Sequence, residues 1–406
     1  MSSAESAVET LPVWASADDA DRTLALLRER AAVCRVRLPD GPEIWLVTRH
    51  AEAKRALNHP ELIKDPRRSP NPAGIFGGRR YPDDATVVFG RHVLNTDGPD
   101  HQRLRAAYRP FLSAQAVKGY RRIVESVTAD CLDRMSGGPA ADLMAQFAEP
   151  IPAHVTAHLL GVPAEEVSTI NALATDFASG RPSTTLAATI GALMDSALDQ
   201  IDHKRAHPDD RLISHLIQLH QRGEWTLQEV AATIVTTIIG GMNTTATLLG
   251  AGAATIADQP ALQRMLDDER ECAALVDELL RYRPPTLHTT WRFAVGPVEL
   301  GEANIEPGDL VLISLPAVNR DERVFDRPDS LLFDENATRG THLAFGYGAH
   351  YCVGAALARL EAAVALPALF RRFPRLSLAA EPAELAWNIG VIAWNPVSVP
   401  VRLEQV

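Results

Sequence analysis

Residues 345–354 read F-G-Y-G-A-H-Y-C-V-G, and the run A-A-L-A-R-L-E-A-A-V-A-L follows at once. A glycine-punctuated loop therefore hands over to a helix, with Cys352 at the junction. The positive end of the helix dipole and unpaired backbone N–H groups favour a thiolate there over a thiol. Such a thiolate suits the axial position of a haem iron, where its electron push promotes O–O cleavage. Gly346 and Gly348 permit backbone angles that a Cβ forbids, and Gly354 leaves room for a flat ring against the first helical turn. Taken alone, however, a cysteine is more often a small buried hydrophobe, and glycine-rich turns before helices are common. The rest of the chain has to decide.

The chain has 406 residues, 46% of them apolar, and a net charge of −11. That is ample material for a core. No polybasic run and no interleaving of aromatic with basic residues occurs, which argues against nucleic acid or an anionic membrane as partner. Only Lys54, Lys64, Lys118 and Lys204 are lysines, a bias that points to a GC-rich coding sequence more than to a function. The four cysteines, Cys34, Cys131, Cys272 and Cys352, form no C-x-x-C pair and no zinc spacing. They fit the reduced thiols of a cytoplasmic protein. The N-terminus has neither a basic n-region nor an apolar h-region, so no signal peptide is expected. Residues 230–257 carry no charge and are long enough to cross a bilayer. They are rich in Thr and Gly, contain Asn243 and lack flanking aromatic or basic anchors, so a helix buried in protein is expected instead.

Residues 20–30 read as a helix, 34–48 as a hairpin turning at Pro39-Asp40-Gly41-Pro42, and 50–58 as a short helix. Residues 66–97 form a long irregular segment, and its apolar members suggest a binding loop. From 99 to about 220 the pattern is nearly continuous helix. Thr226-Leu-Gln-Glu229 is a capping box opening a long central helix, and Pro260 ends it. At 1.5 Å per residue that helix would span about 45–50 Å. Two shorter helices follow, then strands and turns up to the Cys352 loop. The expected fold is mainly α with a small β region.

The central helix contains Gly240-Gly241-Met242-Asn243-Thr244-Thr245. Adjacent glycines weaken a helix interior by about 1 kcal/mol each relative to Ala. A flat ligand against the helix, a local opening, or close helix–helix packing through small residues would each account for them. Glu278 and Arg281 share a helix face at i, i+3. His101 and Arg105 share a face of the helix that opens at Asp97-Gly98-Pro99, Arg292 lies in a strand-like run, and His350 precedes the cysteine by two residues. Together these are the donors that two haem propionates need, with arginine giving bidentate, charge-assisted bonds.

With these residues assembled, the chain resembles a cytochrome P450, a soluble bacterial haem-thiolate monooxygenase. The loop matches F-x-x-G-x-H-x-C-x-G at every defined position, Glu278 and Arg281 match E-x-x-R, residues 317–321 (A-V-N-R-D) resemble the segment before the meander, and Thr244 matches the oxygen-activation threonine. The resemblance implies one P450 domain over residues 1–406 with a short flexible N-terminus of about residues 1–12, and a long central helix over haem b. It implies Cys352 as the iron ligand. Around the haem it implies His101, Arg105, Gly241, Arg292, Phe345, His350 and Gly354, with Thr244, Asn243 and Thr245 as catalytic residues. Glu278 and Arg281 would be a structural ion pair. Electrons would come from a ferredoxin and its NAD(P)H-dependent reductase, O2 would supply the oxygen, and the protein would be a cytoplasmic monomer.

Two departures matter. Where the family carries an acid that helps deliver protons, this chain has Asn243, whose amide cannot titrate. Either the relay runs through Thr244, Thr245, water or a substrate hydroxyl, or the reaction needs fewer protons, as in oxidative coupling or desaturation. The family's third arginine would fall at Ala337, with Arg339 displaced by two. The resemblance places the pocket at Ile75, Phe76, Val88 and Phe89, at Ile238 and Met242, at Leu287, His288 and Thr290, and at Ile389, Val391 and Ile392. That apolar lining with a few polar handles suits a lipophilic small molecule, such as a polyketide, macrolide or terpenoid of bacterial secondary metabolism. A non-catalytic haem or ligand-binding protein is the rival from outside the enzymes.

Overall fold

Helical patterning dominates residues 98–282 and the stretch directly after Cys352, and most of the described residues of both are helical. The protein is described by a computed structural model covering residues 8–14, 16–39, 41–70, 90–178, 183–333 and 341–404. In chain order the longer helices are α1 (Ala17–Arg30), α2 (His50–Asn58), α3 (Gly98–Ala106), α4 (Arg121–Met135), α5 (Pro150–Leu160), α6 (Val167–Ala178), α7 (Ser183–Ala206), α8 (Leu212–Gln221), α9 (Leu227–Gly241), α10 (Asn243–Asp258), α11 (Glu269–Tyr282) and α12 (Ala355–Arg372). The main sheet is built from β1 (Glu9–Thr10), β2 (Val33–Arg37), β3 (Glu43–Val47), β4 (Leu62–Ile63), β5 (Arg292–Ala294) and β6 (Leu310–Ile313), in the order β1-β2-β3-β6-β5-β4. The fold is mainly α with a small β region, as expected.

The anticipated hairpin is β2 against β3, antiparallel, with Val33 opposite Val47. β3 then pairs in parallel with β6, Val47 opposite Ile313. The N-terminal strand corrects one expectation. Far from hanging loose to residue 12, the chain pairs Glu9 and Thr10 with β2, and Leu11 is buried. Apolar burial outweighs the entropy of a short tail there.

The central helix opens on the capping box read from the sequence, with both Thr226 and Glu229 side chains bonded to backbone N–H groups. It ends at Asp258, two residues before Pro260. Between α9 and α10 it breaks at Met242. The causes are local: two weak helix formers precede the break, and threonine hydroxyls take up backbone carbonyls around it. Thr244 Oγ1 donates to the Gly240 carbonyl (2.8 Å), and Thr247 Oγ1 to that of Asn243 (2.9 Å). This helix is long and apolar enough to cross a membrane, yet most of it is buried inside the protein. Helices α5, α6, α7 and α8 pack on α9, while α11 and α12 pack on α10.

Candidate active site

The cysteine loop depends on its glycines. Gly346 and Gly348 adopt φ of 72° and 75°, in the left-handed region that favours glycine. A Cβ on Gly348 would fall 1.8 Å from Asn58 Oδ1, so the loop presses on the end of α2. It also closes on itself: the Cys352 N–H donates to the Phe345 carbonyl (2.9 Å) and the Tyr351 N–H to that of Gly348 (3.0 Å). The Phe345 ring lies beneath Arg359, whose guanidinium is 4.5 Å from the ring centroid. Cys352 is open to solvent on one side. On the other sides burial pushes its thiol up, opposed by the N–H groups of Gly354 and Ala355 and by the charges of Arg105 and Arg359. A coordinated cation at Sγ would tip that balance to the thiolate. A Cβ on Gly354 would stand 3.9 Å from Sγ.

A second cluster gathers where β4, β5, α3 and the cysteine loop meet. The His101 and His350 rings lie against each other, centroids 4.0 Å apart and planes tilted by 42°. His350 Nε2 lies 3.6 Å from Asp97 Oδ1, while Arg292 donates to the Leu62 carbonyl (2.8 Å). Arg105 stands one turn along α3 and its charge reaches both His101 and Cys352. Lys64, which the sequence did not single out, turns inward and donates through Nζ to Thr290 Oγ1 and the Trp291 carbonyl. Asp97 accepts from the backbone N–H groups of Lys64 and Asp65 (2.9 Å each). The only signal for Lys64 was scarcity: it is one of four lysines and stands directly after a short apolar pair.

The electrostatics of this cluster are lopsided. Lys64, Arg292 and His101 are buried. Burial, then the Arg292 charge, holds Lys64 well below its usual value. Burial brings Arg292 down to about 10. Burial and then His350 and Arg105 bring His101 down to about 4. Burial works to raise the Asp97 carboxyl, but hydrogen bonds from His350 and from the Asp65 and Lys64 amides hold it below its ordinary value. His101 Nε2 and His350 Nδ1 are buried without a partner among the described residues, at a cost of about 1–3 kcal/mol each. Among the described residues, the cationic and imidazole groups of the cluster, Lys64, His101, Arg292 and His350, thus outnumber the carboxylate they share, Asp97. That donor set fits the two propionates of a haem.

On the central helix the open face belongs to Gly240. It is exposed although the helix around it is buried, and among the described residues nothing stands within 4 Å of where its Cβ would be. Thr244 is on the helix one turn later and stays partly accessible. Gly241, expected against the cofactor, is turned elsewhere: its Cβ would meet Thr156 Oγ1 of α5 at 2.7 Å. The glycine pair therefore serves both an open face and close helix packing. Thr245, Ile238 and Met242 are likewise turned into the core, which removes them from the open face on which they were expected. Asn243 does not reach toward Thr244; its Nδ2 donates to the Ala174 carbonyl of α6 (2.7 Å).

The remaining pocket residues divide. Leu287 N–H donates to the Ile392 carbonyl (2.9 Å), and His288 Nδ1 to that of Val391 (2.5 Å). These bonds bring the two segments together, but Leu287 and His288 are fully buried and form core rather than pocket wall. Ile389, Val391 and Ile392 remain half-buried. Thr290 is engaged by Lys64. Ile75, Phe76, Val88 and Phe89 lie outside the described residues, as do Ala337 and Arg339. Glu278 and Arg281 form the expected buried pair, at 2.7 Å. Arg281 also donates to the carbonyls of Asn319 (3.0 Å), Pro328 (2.8 Å) and Ser330 (2.6 Å), and Glu278 accepts from the Leu332 N–H.

Comparison with known proteins agrees with this geometry. Residues 183–393 match the family described as Cytochrome P450. The chain is 34% identical to Cytochrome P450 107B1 of Saccharopolyspora erythraea, over 96% of each chain. It is 33% identical to 6-deoxyerythronolide B hydroxylase of the same organism, over 94% of this chain and 96% of the other. The tirandamycin C-bound P450 monooxygenase TamI superposes with a TM-score of 0.89 at 30% identity, over 98% of this chain and all of the other. The chain belongs to the cytochrome P450 family. It is a P450 monooxygenase, and its cofactor is a haem whose axial ligand is a cysteine thiolate.

Proposed function

We propose that Cys352 is that axial ligand and that the enzyme hydroxylates or epoxidises a lipophilic product of bacterial secondary metabolism. The observation that carries the assignment is the pair of partnerless nitrogens on His101 and His350 beside Arg292 and Lys64, close to the one cysteine open to solvent among the described residues. When bound, the haem supplies the activation of O2. The chain does the rest. Gly354 and Ala355 direct N–H groups at the thiolate, and Gly354 leaves space for the ring. His101, Arg105, Arg292, His350 and Lys64 hold the propionates by charge-assisted bonds. The Thr244 hydroxyl donates to Gly240 and keeps lone pairs free to accept from a water, which orders protons on the distal side.

Electrons would come from a ferredoxin and its NAD(P)H-dependent reductase. In support, Lys54 lies 5.0 Å over the exposed Tyr347 ring and Arg359, itself paired with Asp277, donates to the Tyr351 hydroxyl (3.3 Å), so two cations flank the cysteine loop on the side where an acidic carrier would dock. The relative named as a 6-deoxyerythronolide B hydroxylase and the structure holding tirandamycin C support a bulky natural product as substrate. Replacing Cys352→Ser should abolish the thiolate-type band of the ferrous–CO spectrum; an unchanged band would refute the ligand assignment. Optical titration of the ferric protein with macrolides, polyketides, terpenoids and aromatics should give a low-to-high-spin shift for one class. Asn243 favours one second reading, coupling or desaturation without oxygen insertion. Oxygen-18 from labelled O2 appearing stoichiometrically in the product would eliminate it.

A further inference from the structure

We infer that Asn243 is a latch between the central helix and α6, a positioning residue that takes the place of an acid because an amide N–H can make the bond and an ionised carboxylate cannot. Its Nδ2 donates to the Ala174 carbonyl at 2.7 Å. Ala174 is fully buried and lies one turn from the end of α6, which closes at Ala178. The negative end of that helix dipole therefore points toward residue 243. An ionised carboxylate there would be repelled by both the carbonyl and the dipole, and it has no proton to donate. An amide is attracted on both counts. The chemistry of the partner thus explains the amide.

The latch has a consequence for the reaction. Asn243 is the first residue of α10, immediately after the break at Met242, and Thr244 follows it. Any displacement of α6 pulls on the same turn whose hydroxyl bonds the Gly240 carbonyl. The two movements are energetically coupled through one side chain. Asn243 acts by fixing Thr244 relative to α6 and carries no proton itself. This reading rests on Thr244 being the distal hydroxyl, but the bond to Ala174 does not.

The test uses the haem-loaded enzyme and two variants, Asn243→Ala and Asn243→Asp. Hydrogen–deuterium exchange of the α6 amides is compared with wild type across pH, and dissociation of a phenylimidazole probe from the iron is followed by stopped flow. In Asn243→Ala, exchange at the C-terminal turn of α6 should rise roughly five-fold, the equivalent of one net hydrogen bond, and the probe should leave faster by a similar factor. In Asn243→Asp, protection relative to wild type should be kept at low pH, where a protonated carboxyl can donate, and lost as pH rises. A merely structural contact would not give that pH signature. Unchanged α6 exchange in Asn243→Ala overturns the latch whatever the Asp variant does. So does an Asp variant that lowers peroxide release per NAD(P)H while α6 exchange stays at the wild-type level, since that is proton delivery. The exchange readout needs neither substrate nor turnover, so its failure is distinct from failure of the role given to Thr244.

Discussion

His101 and His350 each carry a buried ring nitrogen that has no bonding partner among the described residues, and Lys64 stands beside them in the same interior. Each is costly until an anion arrives. Lys64→Met should therefore weaken the grip on haem while leaving Cys352 in place. Loss of one charge-assisted bond of about 1.5–3 kcal/mol corresponds to haem release faster by roughly 10- to 150-fold. Transfer of haem to apomyoglobin measures that rate; equal rates would remove Lys64 from the cluster. Burial also sets a pH dependence in the haem-free protein. It lowers His101 and His288 to about 4 and His92 to about 3, from an ordinary 6.5. Between pH 6.5 and those values the unfolded chain binds protons that the folded chain refuses. Stability is therefore kept above pH 6.5 and falls as pH drops through that window. Urea midpoints at pH 7 and pH 5 should show the decline, and His288→Gln should flatten it.

Helices and strands obeyed local chemistry wherever that chemistry was unambiguous. The 50–58 helix and the Thr226 capping box were legible because caps and periodicity act within a few residues. The glycine pair was not, because its meaning lies in what faces it. Gly240 looks onto open space and Gly241 onto Thr156, a difference that no reading of G-G can supply. The two positions should respond in opposite ways. Gly240→Ala should raise the melting temperature of the haem-free protein, by up to about 1 kcal/mol of helix propensity. Gly241→Ala forces its Cβ against a stiff, buried threonine and should cost about 1–3 kcal/mol. Thermal denaturation of the pair decides it; matching shifts would mean the helix is rotated from the arrangement described. The same facing problem hid the Ala174 partner of Asn243 and misplaced Thr245, Met242 and Leu287. Sequence identifies the turn of the helix, whereas the neighbouring helix selects the face.

At the scale of the molecule, the order of motifs along the chain made the family legible, since a cysteine loop, an E-x-x-R pair and a threonine-bearing central helix rarely coincide by chance. Burial was harder to read, and so Lys64 and Asp97 escaped notice: ordinary residues become a site only when β4, β5, α3 and the cysteine loop converge. Because the cluster is complete only with an anion, haem should act as part of the core. Adding haem b at a thousandfold excess over its dissociation constant should stabilise the folded state by about 4 kcal/mol. Calorimetry with and without haem measures this, and a small or absent shift would separate haem binding from folding. The parallel seam of β3 with β6 carries one more consequence. Val47 meets Ile313 only after about 260 further residues have left the ribosome, roughly 13–50 s at ordinary synthesis rates. For that interval the nascent hairpin presents an unpaired strand edge to the cell. A chaperone that shields the emerging chain would find this edge open throughout, and a faster translation schedule would shorten the exposure.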